Sequence, residues 1–204
     1  MKENRCIQCR GFFFGAGYLK SMEGNREAIS IRELDRSNYP EFRSELTALY
    51  LHAFTTGKYA QYIASETVEA TLDGIMQDGS GRMAFAGERL VGLLAAFPLK
   101  REPDFPVDRC PDIPVEQAIY IAEVMVHADY RGRGIASQIV ESYLHRKPEE
   151  YSHAVIRVWE ENRPALNLYR KLGFAPVAGV SQRKLNVEGE EFVMRKIYLL
   201  KLLL

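Results

Sequence analysis

Residues 124–136 read Val-Met-Val-His-Ala-Asp-Tyr-Arg-Gly-Arg-Gly-Ile-Ala, and this passage limits the fold more tightly than any other. An apolar strand runs into a basic turn punctuated by Gly132 and Gly134, and a helical pattern starts directly behind it. Glycine lacks a Cβ, so the backbone there can adopt left-handed angles and lie close to a ligand. The first turn of the following helix presents unpaired N–H groups and the positive end of the helix dipole. A strand-turn-helix of this kind needs a sheet to leave from and suits an anion at the turn. The spacing excludes two common phosphate loops. There is no Gly-x4-Gly-Lys-Ser/Thr, and no Gly-x-Gly-x-x-Gly with an acidic residue about 20 positions on.

A second passage is built the same way. The β-like run 154–159 is followed by Asn162-Arg-Pro-Ala165-Leu-Asn-Leu168-Tyr169-Arg-Lys-Leu-Gly173-Phe174. Arg131-x-x-Gly134-x-Ala136 resembles the pyrophosphate-binding signature of the GNAT superfamily, the acyl-CoA-dependent N-acyltransferases. The second passage resembles the same family's pattern Asn-x-x-Ala-x-x-Leu-Tyr-x-x-x-Gly-Phe. Two motifs in the family's order, each at a strand-to-helix junction, carry the resemblance. It covers 31–200 in element order and is specific over 119–177.

The resemblance implies acetyl-CoA as cosubstrate and an N-acetyltransferase acting on a primary amine of a small molecule or peptide. Position by position, it implies that Arg131, Gly132, Arg133, Gly134, Ile135 and Ala136 wrap the pyrophosphate, with Ala136 in place of the commoner glycine. Val124, Met125 and Val126 match the backbone positions that hold the pantetheine arm like an added strand. An N–H near Val126 could also stabilise an oxyanion. Asn162 matches the asparagine that bonds to this arm, and Tyr169 the general acid toward the departing thiolate. Read from the residues alone, Asn162 is equally a cap before Pro164, and Tyr169 a helix tyrosine packed on the sheet.

The general base is argued from chemistry. A primary amine of pKa near ~10 arrives protonated and must lose that proton before it attacks. Glu123 interrupts an otherwise apolar strand, where a carboxylate is costly unless paired or functional, and burial would raise its pKa to a useful value. Glu160 and Glu161, at the mouth of the next strand, are alternatives. Phe54, Tyr59, Tyr62 and the segment 99–117 are the expected acceptor pocket, and their aromatic and acidic makeup points to a cationic amine.

Pattern alone gives a mixed sheet with helices on both faces, parallel crossovers flanked by an antiparallel meander. The expected strands are 29–34, 82–86, 90–98, 119–126, 154–159, 175–180 and 192–203, and the expected helices 39–54, 66–77, 134–146 and 164–172. With the resemblance, the fold class is α/β and GNAT-like, a mostly antiparallel sheet of about seven strands. Pro103, Pro106, Pro111 and Pro114 make 99–117 a loop, either a solvated insertion or a pocket wall.

The domain is expected at 29–204, after an N-terminal extension, 1–28, of uncertain role, within which Met22 is an alternative start. A chain beginning at Met22 is expected to fold and act as the full one does; the counter-reading is that Phe12, Phe13, Phe14 and Tyr18 cover an apolar surface of the domain or of a partner subunit, as in a homodimer. Cys6-x-x-Cys9 lacks two further ligands for zinc, so no metal site is expected. Three cysteines, an odd number, favour a reducing cytoplasm. No apolar run reaches the ~18 residues of a membrane span. Twenty-seven basic residues offset twenty-seven acidic ones, which argues against nucleic acid and membrane partners, so any anion site is local. Two rival functions remain from the residues: an acyl-CoA-binding sensor without turnover, and a nucleic-acid module built on Arg131-Gly-Arg-Gly.

Overall fold

The computed structural model describes residues 27–56, 60, 62–146, 149–186 and 188–203. The cysteine pair Cys6 and Cys9, the aromatic cluster at 12–14 with Tyr18, the alternative start at Met22, and Tyr59 of the expected pocket lie outside the described residues.

The chain runs β1 (Ile29–Leu34), α1 (Tyr39–Thr55), α2 (Ser65–Ile75), β2 (Ser80–Ala86), β3 (Arg89–Pro98), β4 (Ala118–Val126), α3 (Ile135–His145), β5 (His153–Trp159), α4 (Arg163–Lys171), β6 (Ala175–Leu185) and β7 (Glu191–Leu202). The seven strands form one sheet in the order β1-β2-β3-β4-β5-β7-β6. Every neighbouring pair is antiparallel except β4 with β5. The second expected parallel crossover, through α4, does return β6 in the direction of β5. β7 then inserts between the two, so they never pair.

Helices α3 and α4 cover one face of the sheet, over a core that includes Ile119, Ile121, Ile139, Tyr143, Leu166 and Tyr169. On the other face α1 and α2 bury Leu46, Leu72, Leu93 and Met125. That second layer continues over Leu99, Phe105, Ile113, Tyr120 and Tyr198. The segment 99–117 thus supplies core rather than a solvated insertion. It folds into three short 3-10 turns that bury Leu99, Phe105, Cys110 and Ile113. Its prolines break long helices without preventing single turns.

β6 reaches Leu185, five residues beyond the sequence expectation of Val180. The extension is polar, Ser181-Gln182-Arg183-Lys184, and lacks the apolar alternation that marks a strand from sequence. Pairing with β7 holds it, through Lys184 opposite Phe192. No helix among the described residues is long and apolar enough to cross a membrane.

Candidate active site

The glycine turn is built as its sequence dictates. Gly132 and Gly134 sit at φ 75° and 77°, in the left-handed region that favours glycine, and Gly134 caps α3. A Cβ on Gly132 would meet nothing within 4 Å, and one on Gly134 only the Gln138 amide at 3.9 Å. The turn therefore opens onto free space in front of the first N–H groups of α3, the arrangement an anion requires.

The arginine side chains brace this turn. Arg131 donates to the carbonyls of Val126 (3.2 Å) and Ala53 (3.1 Å), tying the ends of β4 and α1 to the loop. Arg133 donates to the Asp129 carbonyl at 3.0 Å and lies over the Tyr130 ring, 4.6 Å from its centroid. The His52 and His127 rings stack beneath the same loop at 3.9 Å, and His52 Nε2 accepts from the Ala128 N–H at 3.3 Å. Residues 52 and 127 are too far apart in sequence for any local pattern to pair them.

Beyond the turn the sheet opens. β4 and β5 pair only from Ala118–Ile121 to His153–Ile156. β4 then follows β3 and β5 follows β7, so the two strands part over 122–126 and 157–159. The backbone of Val124, Met125 and Val126 borders that gap, where an extended, amide-bearing chain can add itself as a strand. One lone pair of the Val126 carbonyl is already taken by Arg131.

A bulge sets what faces the gap. Ala95 pairs with Glu123 and Ala96 with Ile121, which leaves Ala122 as an extra residue on β4. Successive side chains alternate between faces, and an inserted residue reverses that parity. Ile119 and Ile121 accordingly pack under α3 and α4, whereas Met125 packs under α1 and α2. Glu123 is thereby carried to the α1/α2 face. There the Tyr50 hydroxyl, from α1, donates to Glu123 Oε1 at 2.8 Å. Burial pushes the Glu123 carboxyl up to about 7, against the opposing pull of that hydrogen bond and of Lys196, Arg157 and Lys184.

Glu123 lies at the base of a cavity of about 300 Å³ between α2 and the sheet, whose walls include Thr71, Gly74, Phe97, Glu102, Tyr120 and Arg157. Arg157 pairs with Glu102 (3.3 Å) and Asp104 (3.0 Å), and its Nη1 lies 3.1 Å from the Tyr198 hydroxyl. This fastens the 99–117 segment to β5 as one wall of the cavity. Phe54 and Tyr62, expected in the pocket, do not line it. Phe54 packs on Tyr50 with centroids 4.7 Å apart, and Tyr62 is 66% exposed. A larger concavity, about 790 Å³, runs along β6 and β7 past Arg109 and Glu160, but neither Glu123 nor Tyr169 borders it.

Tyr169 is buried beneath α4, edge-on to Phe174 with centroids 6.0 Å apart. Burial first, and the Glu123 charge second, push its hydroxyl well above the ordinary phenol range, so it stays protonated. Asn162 accepts from the Ala165 N–H through Oδ1 at 3.3 Å and so caps α4. Of the alternative bases, Glu160 pairs with Arg195 at 3.5 Å. Among the described residues no group of three or more acidic, histidine or cysteine side chains could hold a metal. Sequence reasoning missed Tyr50, Arg157, Lys184 and Lys196, because only tertiary pairing brings them to Glu123.

Residues 30–174 match the acetyltransferase (GNAT) family. The chain is 36% identical over 74 residues to N-alpha-acetyltransferase 30 of Saccharomyces cerevisiae, a match covering 36% of this chain and 42% of that protein. It is 25% identical over 132 residues to N-acetyltransferase 8F1 of Rattus norvegicus, covering 62% of this chain and 55% of that one. It spans about half the length of these relatives. The structure of yncA from Salmonella typhimurium, solved with its cofactor acetyl-CoA, shares the fold with a TM-score of 0.62 at 14% identity, covering 86% of this chain and 94% of that one. The family match, extending over most of the chain and across both strand-to-helix motifs, places this protein in the acetyltransferase (GNAT) family.

Proposed function

We propose that this protein is an N-acetyltransferase that moves an acetyl group from acetyl-CoA to a primary amine of a small molecule or peptide. The observation that carries the reading is the parted β4/β5 seam, with an anion-receiving turn at one end and a carboxyl held near pKa 7 on the opposite face. The names of the yeast and rat relatives support an amine acceptor. Bound acetyl-CoA would supply an activated thioester carbonyl.

The chain's residues divide the work. The N–H groups of 132–136 hold the pyrophosphate, with Arg131 and Arg133 stiffening the loop, and the freed edge of Val124 and Met125 aligns the arm. Asn162 contributes its amide N–H groups to the arm while its oxygen caps α4. Glu123 takes a proton from the incoming ammonium, so that nitrogen can attack the carbonyl carbon as the carbon–sulfur bond breaks, and the nitrogen gives its second proton to solvent as the amide forms. Tyr169 offers its O–H to the departing sulfur. A phenol need only stabilise that charge by a hydrogen bond, since full transfer to a thiolate whose acid has pKa ~8.5 is uphill. The domain occupies 29–204, with 1–28 as an extension, and three cysteines favour the cytoplasm.

The test is CoA release with the full chain, acetyl-CoA and a panel of amines. Turnover with at least one amine is expected, and Tyr169→Phe should lower kcat about tenfold while acetyl-CoA affinity holds. Tight binding of acetyl-CoA with no CoA release from any amine would favour the sensor reading.

A further inference from the structure

The last turn of α1 touches both halves of the site. Tyr50 donates to Glu123, and two residues on, His52 Nε2 accepts from the Ala128 N–H at 3.3 Å. The next residue, Ala53, accepts from Arg131 through its carbonyl at 3.1 Å. The final four carbonyls of a helix have no partner within it, and a cation suits the negative end of its dipole, so Arg131 caps α1 from the glycine turn. Within the span 50–53 one helical turn therefore reaches the Glu123 carboxyl, the short turn behind β4 and the glycine turn that follows it.

The His52 ring lies face to face with that of His127, with centroids 3.9 Å apart and planes inclined by 16°. His127 precedes the short turn Ala128–Tyr130, and its backbone N–H donates to the Val91 carbonyl at 2.8 Å, so the ring beneath which His52 packs is fixed to the sheet. Accepting at Nε2 requires a neutral His52 ring with its proton on Nδ1. His127 is neutral as well, because Arg89 Nη2 stands 2.8 Å from its Nε2 and a guanidinium can only donate. Burial first, then His52 and Arg89, and less strongly Arg131, hold His127 below the ordinary imidazole range, against the opposing pull of Asp129. Two uncharged rings stack without repulsion. A phenylalanine at position 52 would keep that stack and lose only the acceptor.

We propose that His52 is a positioning residue that couples the cofactor turn to the proposed base: acetyl-CoA at the turn fixes the last turn of α1 and, with it, Tyr50 against Glu123. This rests on the acetyl-transfer reading and deepens it. The coupling needs no contact between His52 and either substrate, since the Ala128 N–H and the Arg131 guanidinium carry it from the turn into the helix.

The test compares the full chain with His52→Phe and His52→Gln, the latter with an amide oxygen that can still accept. Calorimetric affinity for acetyl-CoA should fall about fivefold in His52→Phe, the usual worth of one hydrogen bond, and return to within about twofold of the wild type in His52→Gln. Acetyl-CoA should slow hydrogen exchange of the 50–55 amides severalfold in the wild type and in His52→Gln, and leave it unchanged in saturated His52→Phe. Exchange at 50–55 that acetyl-CoA does not alter in the wild type overturns the proposal without recourse to a variant, and so does a His52→Gln chain as impaired as His52→Phe. Either result leaves acetyl transfer intact where the wild type releases CoA with an amine. Slowed exchange at 50–55 with no amine turned over is the opposite case, in which the coupling stands and acetyl transfer fails. A wild type that does not bind acetyl-CoA overturns both.

Discussion

The two ends of the β4/β5 seam are made by different means. At the turn, everything an anion needs comes from one short passage: two left-handed glycines, a helix start and backbone N–H groups, with the arginines tied back to carbonyls. At Glu123 the same strand contributes one carboxyl, and the remainder comes from α1 (Tyr50), β5 (Arg157), β6 (Lys184) and β7 (Lys196). The first end is read by backbone and tolerates change in side chains. The second is read by side chains whose charges tune one another. A shared cofactor and a variable acceptor call for that division.

The comparison breaks most visibly at the turn. Gly134→Asp puts a side chain and a negative charge at the proposed pyrophosphate site, on a left-handed backbone angle that favours glycine. Calorimetric affinity for acetyl-CoA should fall about a hundredfold or more, since a charge-assisted bond is lost and repulsion gained. Unchanged affinity in a folded variant would dissolve the distinction between the two ends.

Glu123→Gln probes the other end with the cofactor site untouched. We expect kcat/KM to drop about a hundredfold, within the usual contribution of a positioned base. The wild-type rate should climb as pH rises through about 7, because only the ionised carboxylate accepts a proton, and the variant should lose that acidic limb. An identical pH profile would remove Glu123 from proton transfer.

The smallest expected effect sharpens the role of α1. Tyr50→Phe deletes the hydroxyl that donates to Glu123, and that hydrogen bond favours the ionised carboxyl. Its loss should move the acidic limb upward, so activity below neutrality falls severalfold while the alkaline plateau changes little. A limb that stays in place would mean that burial alone sets the proton affinity of this carboxyl.

This contrast also governs what could be read from the chain. The turn, α4 with Pro164 and Gly173, and the positions of the strands along the chain were legible, because each is signalled within a few residues. The insertion of β7 between β5 and β6 was not, since no local pattern records which strand a returning chain joins. Glu123 was legible as an anomaly on an apolar strand, but its face was not. The polar reach of β6 through Lys184, and the pairing of Arg157 with Glu102 and Asp104, appear only once distant strands are aligned.

Ala122 carries a consequence of a topological kind. A sheet separates two compartments, and a side chain's compartment is fixed by whether an even or odd number of residues precedes it along the strand. One surplus residue on β4 therefore acts as a parity operator, moving Glu123 and Met125 across the partition while Ile119 and Ile121 stay behind. Deleting Ala122 would keep every chemical group of the site in the chain and return the carboxyl to the α3/α4 side, among the residues packed around Tyr169. In this protein, which face holds the Glu123 carboxyl is decided by counting rather than by composition.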